Sequence, residues 1–172
     1  MYFNSFSKIN YDIKGDGQFY SMTNLTKRVR FNKLVKENIV AFDFYDVQDG
    51  DTPEIVAHYY YQDAKLHWII LLTNDIVDVY TQWPMSIPRF EQFVKDKYDD
   101  INAIHHYEIT QSSGDTTKTL EIPNNTDYPN ATAVTNYNYE SNIQNKISRI
   151  RLIRPEYVDQ IKRELNNLVY RA

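Results

Sequence analysis

At 172 residues, with 42% apolar and 24% charged residues and a net charge of −4, the chain is long enough to bury a core and too short for two independent enzyme-sized domains. That balance is the composition of a globular protein rather than a disordered or membrane chain, and it carries no basic footprint for nucleic acid. Cysteine is absent, which removes disulfides, thiolate metal sites and a cysteine nucleophile.

Fifteen tyrosines against four glycines supply many amphipathic rings on a chain with few flexible joints. A tyrosine buries its ring and keeps its hydroxyl wet, which suits a small core and a contact surface equally. The opening MYFNSFSKINYD lacks the basic region and apolar run of a secretory signal, and the longest apolar run, Trp68–Leu72, is far short of a bilayer span. Without export, the Asn-x-Thr triplets at Asn24, Asn124 and Asn130 are chance.

Taken in chain order, residues 1–22 scatter Tyr2, Phe3, Phe6, Tyr11, Phe19 and Tyr20 without a period around a turn at Lys14–Gly17. Such a segment is ordered only by lying on something, either its own domain or, as the expected support, a neighbouring subunit. From Thr23 the pattern turns helical through Leu25, Val29 and Leu34, with a basic cluster of Lys27, Arg28, Arg30, Lys33 and Lys36 that reads as a solvated face. Ile39–Val47 alternates as a strand. Gly50 then supplies a turn, Asp51 or Thr52 an N-cap, Pro53 the first helical position and Glu54 a charge suited to the helix start. That helix ends at Gln62 and Asp63. A second one, from about Ala64 to Thr73, is apolar nearly all round and should be buried on more than one face. Asn74 and Asp75 stop it, and Ile76–Tyr80 is expected to return as a short strand.

Ser86 is expected to cap a third helix over Ile87–Tyr98, with Phe90, Phe93, Val94 and Tyr98 on one face. Ile104–Thr110 and Thr117–Ile122 read as a hairpin turning at Gly114. Residues 123–138 are polar and read as a long loop. Lys146–Arg154 alternates as a basic strand. Pro155 and Glu156 open a last helix with an apolar stripe of Tyr157, Val158, Ile161, Leu165, Leu168 and Val169.

No metalloprotease, nucleophile-elbow, P-loop or dinucleotide motif occurs. His58 and His67 with Asp49 or Asp51 make a metal site conceivable, but structural roles account for them better. His105 and His106, adjacent in a strand, should point to opposite faces. Asp49, Asp51 and Glu54 echo a calcium loop that Pro53 and Tyr60 break, so capping explains them.

The central order, a strand, the DGDTPEIVAHYYY helix, a second apolar helix ending in Asn74 and a short strand, resembles a LysM module. Gly50, Asp51 and Thr52 match its turn, Ile55 and Ala57 its first helix, and Asn74 its terminal asparagine. More widely, AHYYYQDAKLHWIILLTNDIVDVYTQWPMS resembles a segment of the LysM-containing baseplate wedge subunit of contractile-tailed bacteriophages, through Tyr60, Leu66, Trp68, Leu71, Asn74, Asp75, Tyr80 and Trp83. KISRIRLIRPEYVDQIKREL is similar to that family's basic strand and C-terminal helix, through Ile150, Ile153 and Ile161. Residues 105–138 have no counterpart.

The resemblance implies a non-enzymatic structural subunit without cofactor or metal. It would join neighbouring wedges around a central hub, in several copies with other wedge proteins and with no nucleic-acid or membrane partner. Its place would be the virion's tail baseplate, after assembly in the host cytoplasm. The alternative is a LysM-type module binding N-acetylglucosamine polymers of peptidoglycan, against which the bulky Tyr61, Gln62 and Asp63 weigh. The expected fold is α+β: an N-terminal arm and helix over 1–38, a small LysM-like βααβ core with the following helix over 39–100, and a hairpin, long loop and C-terminal strand and helix over 101–172. The poorly periodic segments, Trp83 and the basic strand supply the contact candidates, Tyr2, Phe3, Phe6, Tyr11, Trp83, Tyr128, Tyr137, Tyr139, Arg149, Arg151 and Arg154.

Overall fold

A computed structural model describes residues 6–26, 29–30, 39–111, 114–115 and 118–170. Helices and strands occur together in an α+β arrangement. Where the sequence suggested three consecutive segments, two compact units interleave: residues 1–46, 51–82 and 150–172 form one, and 47–50 with 83–149 form the other.

The first unit opens with a hairpin. Strands β1 (Lys8–Tyr11) and β2 (Tyr20–Thr23) pair antiparallel with Ile9 opposite Met22 and Tyr11 opposite Tyr20. One side chain makes the turn: an Asp12 carboxylate oxygen accepts the N–H groups of Lys14 (3.2 Å), Gly15 (2.7 Å) and Asp16 (3.3 Å), and the other accepts Gly17 (2.8 Å). Gly15 and Gly17 sit at φ +71° and +79°, where a Cβ would be strained. At the base, the Asn24 N–H donates to the Ser7 carbonyl at 2.8 Å. The sequence found this turn but not the strands. Thr23, read as a helix start, closes β2; the rest of the expected helix falls largely outside the described residues.

The core of this unit combines β3 (Phe42–Asp46), β7 (Arg149–Ile153), α1 (Pro53–Tyr61), α2 (His67–Thr73) and α6 (Val158–Tyr170). Strands β3 and β7 pair with each other. Arg154 N–H donates to Ala41 C=O, and Val47 N–H to Ser148 C=O, so the pair runs antiparallel. Ala41, Phe42, Leu66, Ile69, Ile153 and Val158 form one buried cluster, with Tyr61, Trp68, Tyr157 and Ile161 against it. Thr52 is the N-cap of α1, its hydroxyl accepting Ile55 N–H at 3.3 Å, with Pro53 at the first turn. Gln62 closes that helix in the left-handed region (φ 58°), and Asp63 caps the 3-10 turn Ala64–Leu66 that leads into α2.

The expected strand Ile76–Tyr80 is absent. Gln82 accepts the N–H groups of Val77 and Asp78, and Asp78 accepts Tyr80 N–H and the Thr81 hydroxyl, which winds Val79–Gln82 into a helical turn, α3. These local side-chain caps override the β preference of Ile76, Val77 and Val79. The partner of β3 is instead β7, about a hundred residues downstream in sequence.

The second unit holds α4 (Ile87–Lys97), the sheet β5-β4-β6 and α5 (Asn136–Ser148). Strands β4 (Ile104–Thr110) and β5 (Thr119–Ile122) are the predicted hairpin, with Thr110 opposite Thr119. Ser86 occupies the cap position of α4 but makes no side-chain bond to the helix; Asp49 accepts Ile87 N–H at 2.8 Å instead. The expected loop 123–138 ends early, because Thr132–Thr135 pairs with β4 as strand β6 and Thr135 then caps α5 through Asn138 N–H. The β-branched TAVT run carries that strand. Helix α5 extends to Ser148, so the basic strand is shorter than its alternating pattern suggested. Phe90, Val94 and Val134 are buried here.

Candidate interaction surfaces

The hairpin carries several exposed apolar side chains. Because Ile9 faces Met22 and Tyr11 faces Tyr20, these four side chains share one face, and Lys8, Asn10, Ser21 and Thr23 share the other. Ile13 and Phe19 lie between the paired strands and the turn. All six large side chains are exposed, from 38% for Ile9 to 69% for Phe19. A two-stranded hairpin is marginal in water, so its anchoring matters. Phe6, just before β1, is buried with Leu165 and Val169 of α6, and Val29, after β2, and Trp68 pack on the same cluster. The hairpin thus stands on a fixed base while its apolar face remains uncovered.

The basic strand is held inside the first unit. Asp43 accepts Arg154 Nε at 3.2 Å and the Tyr60 hydroxyl, which hold its carboxyl below the usual Asp value, Tyr60 first. Burial and then Asp43 push the Tyr60 hydroxyl up. Arg151 lies over the Phe42 ring, 5.5 Å from its centroid. Its backbone is clasped by Asn74, whose amide oxygen accepts Arg151 N–H and whose amide nitrogen donates to Arg151 C=O, both at 2.9 Å. With Ala41 opposite Arg154, Arg151 turns these backbone groups away from β3. Asn74 therefore closes an open strand edge, and Tyr61 closes the next position by donating its hydroxyl to Ile153 C=O at 2.9 Å. Arg149 is exposed at the start of β7.

In the second unit a β-bulge between Ile104 and His106 breaks the alternation of β4. The two histidine rings consequently meet, Nδ1 to Nδ1 at 2.8 Å, rather than pointing to opposite faces. Tyr139 stacks on His105 with centroids 3.9 Å apart. Glu140, buried on α5, accepts Lys97 Nζ and the Tyr98 hydroxyl on one oxygen, each at 2.7 Å. That hydrogen bond is the main reason Lys97 is held above its ordinary value, and burial followed by Glu140 raises Tyr98.

The sequence candidates therefore divide. Tyr2 and Phe3 lie outside the described residues. Phe6 and Trp83 are corrections: both are buried, at 6% and 5% exposure, and have almost no surface to offer a partner. Tyr11 and Tyr128 are exposed, and Tyr137 keeps 37% of its surface while meeting Phe90 edge-on. Tyr139, Arg151 and Arg154 are engaged within their own unit as described. Ile9 and Met22 were missed; their signal is the alternation in KINY and YSMT on either side of the glycine turn. The side chains considered for a metal have other duties, Asp49 and Asp51 accepting Ile87 N–H and the Tyr45 hydroxyl and His67 bonding Ala64 C=O. Among the described residues no three His, Asp or Glu are grouped to hold a metal ion, and no helix is long and apolar enough to cross a membrane.

Exposed apolar patches in general mark interaction sites. Comparison with known families gives the same class: residues 1–145 match the model of base plate wedge protein 53. No curated protein matches the chain. With most of its length matched, the chain belongs to the phage base plate wedge protein 53 family, a structural rather than an enzymatic family of the virion's tail base plate.

Proposed function

We propose that the chain is a joining piece of the base plate wedge, in which the hairpin, the 123–131 loop with Tyr128 and the outer face of α6 reach neighbouring proteins and help tie adjacent wedges around the hub. The observation that carries this reading is the hairpin's uncovered apolar face on a buried anchor. Supporting it, Leu168 is exposed on α6 while Leu165 and Val169 are buried, so that helix has an apolar residue left over on its outer side.

The test is assembly with the arm removed. Removing residues 1–22 whole would also strip Phe6 from the core, so the better variant replaces 8–23 by a short Gly-Ser linker between Ser7 and Asn24, whose backbones already meet at 2.8 Å. The expected result is a folded, soluble protein that enters single wedges but no longer supports their closure into a ring. Normal ring formation by this variant would sink the proposal.

Peptidoglycan binding is the second reading, drawing on the two helices α1 and α2 packed with a two-stranded ribbon. The residues between those helices weigh against a sugar groove, since Tyr61 bonds β7, Gln62 bonds Tyr59 C=O and Asp63 caps the next turn. A pull-down on purified peptidoglycan at near-physiological salt separates the readings, retention favouring the second.

A further inference from the structure

We infer that the His105–His106 pair on the β4 bulge is an acid-released latch within the second unit. It holds β4 to α5 while the two rings share one hydrogen, survives the first added proton and lets go at the second.

The latch is built on a difference in burial. His106 is buried and His105 is exposed, and the Nδ1 to Nδ1 bond of 2.8 Å ties the loose ring to the fixed one. So tied, His105 lies flat on Tyr139 of α5, centroids 3.9 Å apart and planes 9° apart, while His106 meets the same tyrosine edge-on at 5.8 Å. One tyrosine thus reads the position of both rings.

Proton positions follow from the partners. A carboxylate only accepts, and Glu108 lies 3.4 Å from His106 Nε2, so that nitrogen carries a hydrogen and His106 Nδ1 keeps its lone pair. His105 Nδ1–H is then the donor to His106 Nδ1, and the lone pair of His105 is on Nε2. A first added proton goes to that exposed Nε2. It leaves the bond between the rings intact, makes it charge-assisted and puts a cation on the Tyr139 face. The second proton has only His106 Nδ1 left, the atom already accepting. Two N–H groups and two positive charges would then meet at 2.8 Å, and the bond fails.

The surrounding charges favour the singly protonated form. Glu108 pairs with Glu121 of β5, and because Gln111 N–H donates to Lys118 C=O this is a non-hydrogen-bonded pair, the closer kind, with like charges opposed. From the end of α4, Tyr98 approaches His105 edge-on, and its hydroxyl and Lys97 are both spent on Glu140 of α5. Strand β6, Thr132–Thr135, brings no charged group. The latch is therefore closed at neutral pH and above, stays closed on the first protonation and opens as pH falls further.

The experiment is NMR of the full-length chain with 15N-labelled histidine, titrated from about pH 8 to about pH 5, the range in which histidine changes charge. A coupling between the two Nδ1 atoms across the hydrogen bond should be present at the start, persist after the first imidazolium forms and vanish at the second. Alongside, hydrogen exchange of the Ile104–Thr110 and Asn136–Ser148 peptides, corrected for intrinsic pH dependence, should show protection falling about fivefold with the coupling, the worth of one hydrogen bond. His105→Phe keeps a ring for Tyr139 without a proton to gain, and His106→Asn keeps an acceptor that cannot be protonated; both should hold protection level over the range. No coupling at any pH, a coupling lost with the first imidazolium, equal protection of the parent at both ends, or a fall in His105→Phe as large as in the parent would each overturn the inference.

Discussion

Asn74 shows how much one side chain can decide. Its amide makes two hydrogen bonds to the backbone of Arg151 and a third to Ile70 C=O at the end of α2. Asn74→Ala would leave the Arg151 N–H and C=O at a half-buried strand edge without these partners, so a loss of about 2 kcal/mol in urea unfolding is expected. Asn74→Asp keeps an acceptor for Arg151 N–H but loses the donor, and should fall between the two; if both variants unfold within about 0.5 kcal/mol of the parent, the edge-closing role is wrong. From the sequence, Asn74 is legible as a helix stop. Its reach across the fold is not, because the residue it clasps lies 77 positions away. Trp83 and Phe6 fail in the opposite sense: a large aromatic in an aperiodic stretch looks the same whether it is a plug or a contact, and only the packing around it separates the two.

At the scale of elements, locally capped helices are the readable part. Thr52-Pro53 starts α1, Asp63 starts the turn before α2, and the apolar stripe of α6 buries Val158, Leu165 and Val169, each as side-chain chemistry and period dictate. The strands are less readable, since four residues such as KINY or TAVT give too few repeats to establish a period. The hairpin's own stability hangs on its turn. Four N–H donors hold Asp12 below its ordinary 3.8, Gly17 contributing most. A carboxyl whose folded pKa is lowered adds stability that is complete above the ordinary value and disappears as pH falls through the lowered one. Amide NMR shifts of Gly15 and Gly17 should therefore titrate together with a midpoint below 3.8, and Asp12→Asn should abolish that transition. A midpoint at or above the ordinary value would mean that the turn does not depend on this carboxylate.

At the scale of the whole molecule, each unit has its own core and its own polar clasp. In the second unit the clasp is Glu140, 4% exposed in its side chain, against Lys97, which is 45% exposed. That asymmetry makes the two halves of the pair unequal. Lys97→Met leaves a buried carboxylate with Tyr98 as its remaining donor of the two and should cost about 2 kcal/mol, below the full figure for a buried pair because the lysine side is wet. Glu140→Gln leaves only a lysine that can turn to water and should cost less. Hydrogen exchange of the Ile87–Lys97 and Asn136–Ser148 peptides is the measurement, and the reverse order would show that the carboxylate is not the desolvated partner. By itself the sequence determined the mixed α+β character, the capped helices, the β4–β5 hairpin and a likeness to a wedge protein, because caps, periods and turn residues act over a few positions. Only the tertiary structure decided that β7 rather than Ile76–Tyr80 completes the ribbon with β3, that Asp49 rather than Ser86 caps α4, and that Phe6 is buried while Phe19 is not. Each of these depends on which distant segment arrives first at an unsatisfied backbone group or an apolar face, and that contest leaves no mark in local pattern.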